Sequence, residues 1–279
     1  MPERDPRLHE LEARLKPLLS RLRGLALALV GAPGIGKTTL AATALGGLGC
    51  RYLSRPASVG LARLVADLPR PSRLPPWAWL ALERAAAGEE VDRAALVGAI
   101  TASLRHSAPF VLHVDDAHEA KPELAAVLAG VAQACLRTPG AALLVATRHA
   151  PGAPFEELWL EPLGPAASSA LLERAVGGSL PPAATAWIYE RAAGNPLFTL
   201  EYQRQLARAG YLWSDGQRWS WREPRERMRP ARVEAVIEHL IATAERDSQA
   251  VALAMEARAL LPPGAPDASL WAEVADLKA

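Results

Sequence analysis

Leu8, Leu11, Leu15, Leu18, Leu19 and Leu22 recur at helical spacing, so residues 6–23 read as an amphipathic helix that Pro17 either bends or ends. Residues 25–30 then form a short continuous apolar run, the pattern of a strand covered on both faces. A glycine-rich loop, 31–36, leads into a helix over 37–45, and 51–54 predicts a second short strand. Residues 55–108 read as mostly helical, interrupted by the proline-rich 69–76. Apolar strands follow at 110–114 and 141–146, with a helix over 123–136 between them and a last short strand at 158–160. From Pro165 the strand pattern fades. Helices are predicted over 166–176, 183–193 and 197–209, with Gly194-Asn195-Pro196 between the last two. Trp213, Trp219 and Trp221 around Asp215-Gly216 predict a hairpin, and two or three helices complete the chain.

This alternation predicts an α/β architecture, a parallel sheet with helices on both faces, followed by a helical region. The length of 279 residues suits one large α/β domain or two to three smaller ones. With 31 Lys+Arg against 30 Asp+Glu the net charge is +1, which does not indicate a globally basic nucleic-acid binder. Two cysteines, Cys50 and Cys135, exclude a disulfide scaffold and are expected to be buried. No secretory signal and no membrane-spanning run is seen, so a cytoplasmic protein without a membrane partner is expected.

Chemistry enters at Gly31-Ala32-Pro33-Gly34-Ile35-Gly36-Lys37-Thr38, which matches G-x-x-x-x-G-K-[ST] in full, with a strand before it and a helix after. Glycines let backbone amides turn inward around the phosphates of a bound nucleotide, the β- and γ-phosphates of ATP or the β-phosphate of ADP, and the helix N-terminus adds partial positive charge. Lys37 would place an ammonium on those phosphates. The Thr38 hydroxyl is a hard oxygen ligand for Mg²⁺, and Thr39 beside it completes the nucleotide-binding set. A dinucleotide fold is not indicated, since G-x-G-x-x-G is absent at this turn. Residues 110–114 end in Asp115-Asp116, the place of the acids that complement a phosphate loop. Asp115 would hold Mg²⁺, and Asp116 would orient or deprotonate the attacking water. Ala146-Thr147-Arg148 ends the next strand at the same sheet edge, where Thr147 or Arg148 could sense the γ-phosphate. His113 reads as a core histidine rather than a ligand.

In these motifs and their order the sequence resembles the signal-transduction ATPases with numerous domains, AAA-related switches that include the large ATP-binding regulators of the LuxR type. The resemblance runs from the Glu3-Arg4-Asp5 segment through the phosphate loop, Val114-Asp115-Asp116-Ala117-His118 and Ala146-Thr147-Arg148. It continues through Leu160-Glu161-Pro162-Leu163 to Gly194-Asn195-Pro196-Leu197-Phe198, and covers about residues 3–205. It implies a 5-1-4-3-2 sheet order, a helical lid whose Pro196 packs beside the nucleotide base, and a winged-helix region. The expected divisions are an α/β nucleotide-binding domain over 1–162, a lid over 163–209 and a winged-helix-like region over 210–279. After Leu260 there is room for little more than one helix, so the winged helix is expected to be partial and the chain to belong to a longer protein. Where relatives often carry Trp-Ala-Asp after the acidic pair, this chain has Glu119-Ala120-Lys121.

The resemblance implies a slowly hydrolysing ATP switch, the module of a signal-responsive transcriptional regulator, with a protein partner or self-association in the ATP state. The alternatives are an AAA-type ATPase acting on DNA and a nucleotide-binding scaffold that does not hydrolyse. The arginines between Arg222 and Arg232 alternate with Glu223 and Glu226 and read as a solvated linker ahead of a DNA contact. Trp77 and Trp79 are expected in the core ahead of a partner surface.

Overall fold

A computed structural model of the chain describes residues 6–224. The chain divides between Glu161 and Pro162 into two compact units.

The first unit begins with α1 (Pro6–Leu19), β1 (Leu25–Val30), α2 (Lys37–Leu48) and β2 (Arg51–Pro56). It continues with α3 (Gly60–Ala66), α4 (Pro76–Ala86), α5 (Arg93–Ser107), β3 (Phe110–Asp115), α6 (Pro122–Cys135), β4 (Ala141–Thr147) and β5 (Glu156–Trp159). The strands lie in the order β2-β3-β4-β1-β5, and every neighbouring pair is parallel. Read from the other edge, this is the 5-1-4-3-2 order. The sheet is covered on both faces, so alternate residues of one strand enter different cores. Ala26, Ala28 and Val30 of β1 join Leu112, Val114, Leu143 and Val145 beneath α3–α6. Leu25, Leu27 and Leu29 join Val111, Leu144 and Ala146 beneath α1 and α2. All six residues of β1 are buried, which is why its sequence is an unbroken apolar run.

Several boundaries differ from expectation for local reasons. α1 ends at Leu19 because Arg21 adopts φ 52° and the Leu22 amide turns back to donate to the Pro17 carbonyl at 3.3 Å. Pro17 itself sits inside the last turn. α2 passes Gly46 and Gly47 and stops only at Gly49, which is left-handed with φ 66°. β5 starts at Glu156, two residues ahead of the apolar Leu158. The core placement of Trp77 and Trp79 is corrected. α4 turns Ala78, Ala81, Leu82 and Ala85 inward, leaving Trp77 55% and Trp79 38% exposed. Cys50 and Cys135 are buried free thiols, and burial pushes Cys135 up to about 12.

The second unit contains α7 (Pro165–Val176), α8 (Pro182–Ala192), α9 (Pro196–Arg208) and an antiparallel hairpin, β6 (Leu212–Ser214) with β7 (Trp219–Trp221). Proline opens each helix, where its missing N–H costs nothing. Leu172, Leu180, Ile188, Leu206 and Leu212 form a shared core, so the hairpin packs with the helices. Trp187 stands edge-on to Tyr202 at 5.9 Å, with the Arg191 guanidinium 3.7 Å over its ring. The Asp215 carboxylate accepts from the amides of Gln217 and Arg218 and shapes the turn. Beyond this hairpin, the expected winged-helix region and most of the stretch from Arg222 to Arg232 lie outside the described residues.

Candidate functional site

The strand register brings the chemistry to one edge. Val30 pairs with Thr147, and Val114 with Val145, so Gly31, Asp116 and Arg148 all leave the sheet at its C-terminal end. β1 and β3 are separated in the sheet by β4, and a ligand crevice opens outside strand ends at such a reversal of order.

The loop from Gly31 to Gly36 is fixed at both ends. The Gly31 amide donates to the Thr147 carbonyl at 3.2 Å, and the Ile35 amide to Ala32 at 3.3 Å. A Cβ on Gly31 would lie 3.0 Å from the Leu160 carbonyl oxygen, so the backbone passes close against the chain leaving β5. Gly34 and Gly36 have φ of 74° and 99°, a region that glycine enters without cost. Gly36 precedes α2 without a side-chain cap, so no side chain occupies the first amides of α2, the groups of a helix N-terminus that suit an anion. Pro33 lies in this loop, Ile35 is buried beneath it, and Thr38 and Thr39 are exposed on the first turn of α2.

Lys37 is 7% exposed and its Nζ donates to the carbonyls of Gly31 at 2.8 Å and Ala32 at 3.1 Å. Burial holds its ammonium below the usual lysine range. Asp116 opposes this, Arg148 adds to it, and Asp115 opposes it. The Thr38 hydroxyl donates to Asp115 Oδ2 at 2.7 Å, and Asp115 Oδ1 accepts from the Asp116 amide at 3.1 Å. Two hard oxygen groups from separate elements therefore converge on one point, a donor set that fits Mg²⁺. Asp116 is left-handed, with φ 48° and ψ 44°, and its carbonyl accepts from the Glu119 amide at 2.9 Å. Aspartate tolerates this conformation better than most residues. Arg148 is half-buried at the end of β4.

His118 belongs to this cluster and was missed as a site residue. Both of its ring nitrogens are buried without a hydrogen-bond partner. Burial lowers its affinity for a proton, Arg148 lowers it further, Asp116 and Glu119 raise it, and Lys37 lowers it. The available signal was its position two residues past the acidic pair in a chain with only six histidines. His113 is 2% exposed, with Nδ1 2.8 Å from Ser54 Oγ, and lies within the sheet as a core residue.

Pro196 lies in the second unit, at the first position of α9. Asn195 caps that helix, its side-chain oxygen accepting from the amides of Leu197 at 3.0 Å and Phe198 at 3.3 Å. The Gly194 carbonyl accepts from the Leu163 amide at 2.8 Å.

A parallel sheet of this order with a phosphate loop after β1 and an acidic pair after β3 defines a P-loop nucleoside triphosphatase fold. The AAA ATPase domain family matches residues 1–145, more than half of the chain, and the chain belongs to that family. No curated protein matches it in sequence. Among solved structures it is similar to a Walker-type ATPase of Pyrococcus abyssi, at 13% identity and a TM-score of 0.53, covering 88% of this chain and 74% of that one. The ORC1 protein of Aeropyrum pernix in complex with DNA gives 16% identity and 0.52, covering 99% of this chain and 77% of that one. Drosophila ORC bound to DNA gives 13% and 0.51, covering 100% and 73%. At these identities the likeness is one of fold. No helix among the described residues is long and apolar enough to cross a membrane.

Proposed function

We propose that the chain is an ATP-binding, slowly hydrolysing molecular switch, the ATPase module of a signal-responsive transcriptional regulator. The observation that carries this reading is the convergence of Thr38 and Asp115 at 2.7 Å beside a phosphate loop, with Asp116 turned into its own conformation next to them.

In this reading the amides of residues 34–39 and the Lys37 ammonium bind the β- and γ-phosphates, and Thr38 and Asp115 hold Mg²⁺. Bound there, the cation would neutralise phosphate charge. Asp116 orients the attacking water and accepts its proton. The water oxygen bonds to the γ-phosphorus, the bond to the β–γ bridging oxygen breaks, and ADP and phosphate result. Arg148, at the same edge, answers to the γ-phosphate. Pro196 is assigned the base-side contact, and the residues around it the part of a lid. A partner or a second copy would engage the ATP state.

Asp116→Asn tests the assignment. The amide is nearly isosteric but takes up no proton, so the variant should bind ATP normally and lose turnover, whereas Asp115→Asn should weaken Mg²⁺-dependent binding. Wild-type turnover by Asp116→Asn would remove the base assignment. No turnover by the wild-type chain would leave a nucleotide-binding scaffold. The fold shared with the DNA-bound ORC proteins favours a second reading, an ATPase acting on DNA. ATP-dependent, salt-sensitive binding of a duplex by this chain would select it.

A further inference from the structure

The N-terminal edge of the first unit's sheet lies opposite the phosphate loop, about 20 Å away along strands of six residues. Arginine stands at the entry to each of β1, β2, β3 and β4: Arg21 and Arg23 before β1, Arg51 as the first residue of β2, Arg105 followed by His106 in the last turn of α5 ahead of β3, and Arg137 before β4, all exposed. No acidic residue occurs within 13–66, 93–114 or 124–155, which include all four entries. In a chain with 31 basic and 30 acidic side chains, this one-sidedness is local and not compositional.

The loops are locked together. The Gly140 amide donates to the Arg23 carbonyl at 3.1 Å, and the Phe110 amide to the Gly140 carbonyl at 2.9 Å. The Arg21 guanidinium donates to the Ala108 carbonyl, and that of Arg51 to the Ser107 carbonyl. These two contacts cap the end of α5 and use one nitrogen of each guanidinium, leaving the other donors of the fork and the charge available. Arg23, Arg105 and Arg137 have no ion pair among the described residues. Helix capping thus accounts for two of the five arginines. The four strands span about 14 Å, so five guanidiniums share a patch about as wide as one α-helix with its side chains.

Apolar side chains are interleaved with the cations. Leu22, between Arg21 and Arg23, is 76% exposed, Leu136 beside Arg137 is 42% exposed, and Tyr52 beside Arg51 is 44% exposed. We propose that this edge is a docking surface for an acidic, amphipathic segment of a protein partner. Carboxylates match the arginine forks, and apolar side chains of the same segment cover Leu22 and Leu136. A phosphate backbone would meet the arginines and leave the leucines in water. A bilayer is far broader than the patch.

The test is fluorescence anisotropy of the full chain with a labelled amphipathic helical peptide bearing a Glu flank and a Leu stripe. The wild type should bind it, and Arg23→Glu/Arg105→Glu/Arg137→Glu should weaken binding at least about tenfold. Leu22→Ser should weaken it too. ATP binding should be unchanged in both variants, which reports that they fold, and Arg93→Glu elsewhere on the unit should bind the peptide like wild type. The proposal is overturned if the wild type does not bind the peptide, or if the triple variant binds it equally well. It also falls if a peptide with Ser in place of Leu binds as tightly, or if duplex DNA or phosphatidylserine vesicles are preferred at equal ionic strength.

Discussion

A Cβ on Gly194 would fall 2.2 Å from the Leu163 carbonyl oxygen, and the residue has φ 73°, so contact and backbone both demand glycine. Gly194→Ala is therefore expected to destabilise the second unit by about 1–3 kcal/mol, read as a lower denaturation midpoint with nucleotide absent. Lys37 makes the opposite case, a residue whose local bonds to the Gly31 and Ala32 carbonyls are modest beside the phosphate contact proposed for it. Lys37→Ala should leave the fold intact and reduce ATP affinity by about 1.5–3 kcal/mol, roughly 10- to 150-fold. Titration calorimetry showing unchanged affinity would contradict it. Lys37 is readable in the sequence because the motif's spacing requires that residue type there. Gly194 is readable only as a helix break. Its contact with Leu163 spans about thirty positions and leaves no local pattern. His118 is marked in the sequence only by its place two residues past the acidic pair, which does not show that both ring nitrogens are buried near Asp116 and Arg148.

At the scale of elements, legibility followed burial. β1, β3 and β4 are covered on both faces and appear as unbroken apolar runs, so their positions were expected to within a residue. β5 is an edge strand with Glu156 and Trp159 exposed, and its apolar signal reduces to Leu158. In α4 three alanines face inward beside Leu82, while Trp77, Trp79 and Leu80 stay exposed, so most of its large side chains lie outside the core. Ala78, Ala81 and Ala85 let the helix approach its neighbours closely, while Trp77 and Leu80 remain 55% and 58% exposed. Chemical denaturation separates the two environments. Leu112→Ala, in the core beneath α3–α6, should cost about 2–5 kcal/mol, whereas Leu80→Ala should stay within about 0.5 kcal/mol. Comparable losses from both would mean that α4 is covered by something other than solvent.

For the whole molecule, a switch needs two bodies whose relation depends on the ligand. The chain has two compact units, with the phosphate loop and the acidic pair in the first and the Gly194-Asn195-Pro196 element in the second. A ligand shifts an equilibrium between arrangements only by its difference in affinity for them, and the γ-phosphate, for which Arg148 is the proposed contact, is the part that ATP has and ADP lacks. The switch reading therefore predicts that hydrogen exchange across residues 165–205 differs between ADP and a non-hydrolysable ATP analogue, while β1 and β3 stay equally protected in both. Pro196→Gly frees φ at the first position of α9 and removes a ring face. It should weaken affinity for either nucleotide and reduce the difference in exchange, leaving the phosphate loop's own protection unchanged. Equal exchange across 165–205 in both nucleotide states would remove the switch and leave an ATPase whose second unit does not report the γ-phosphate.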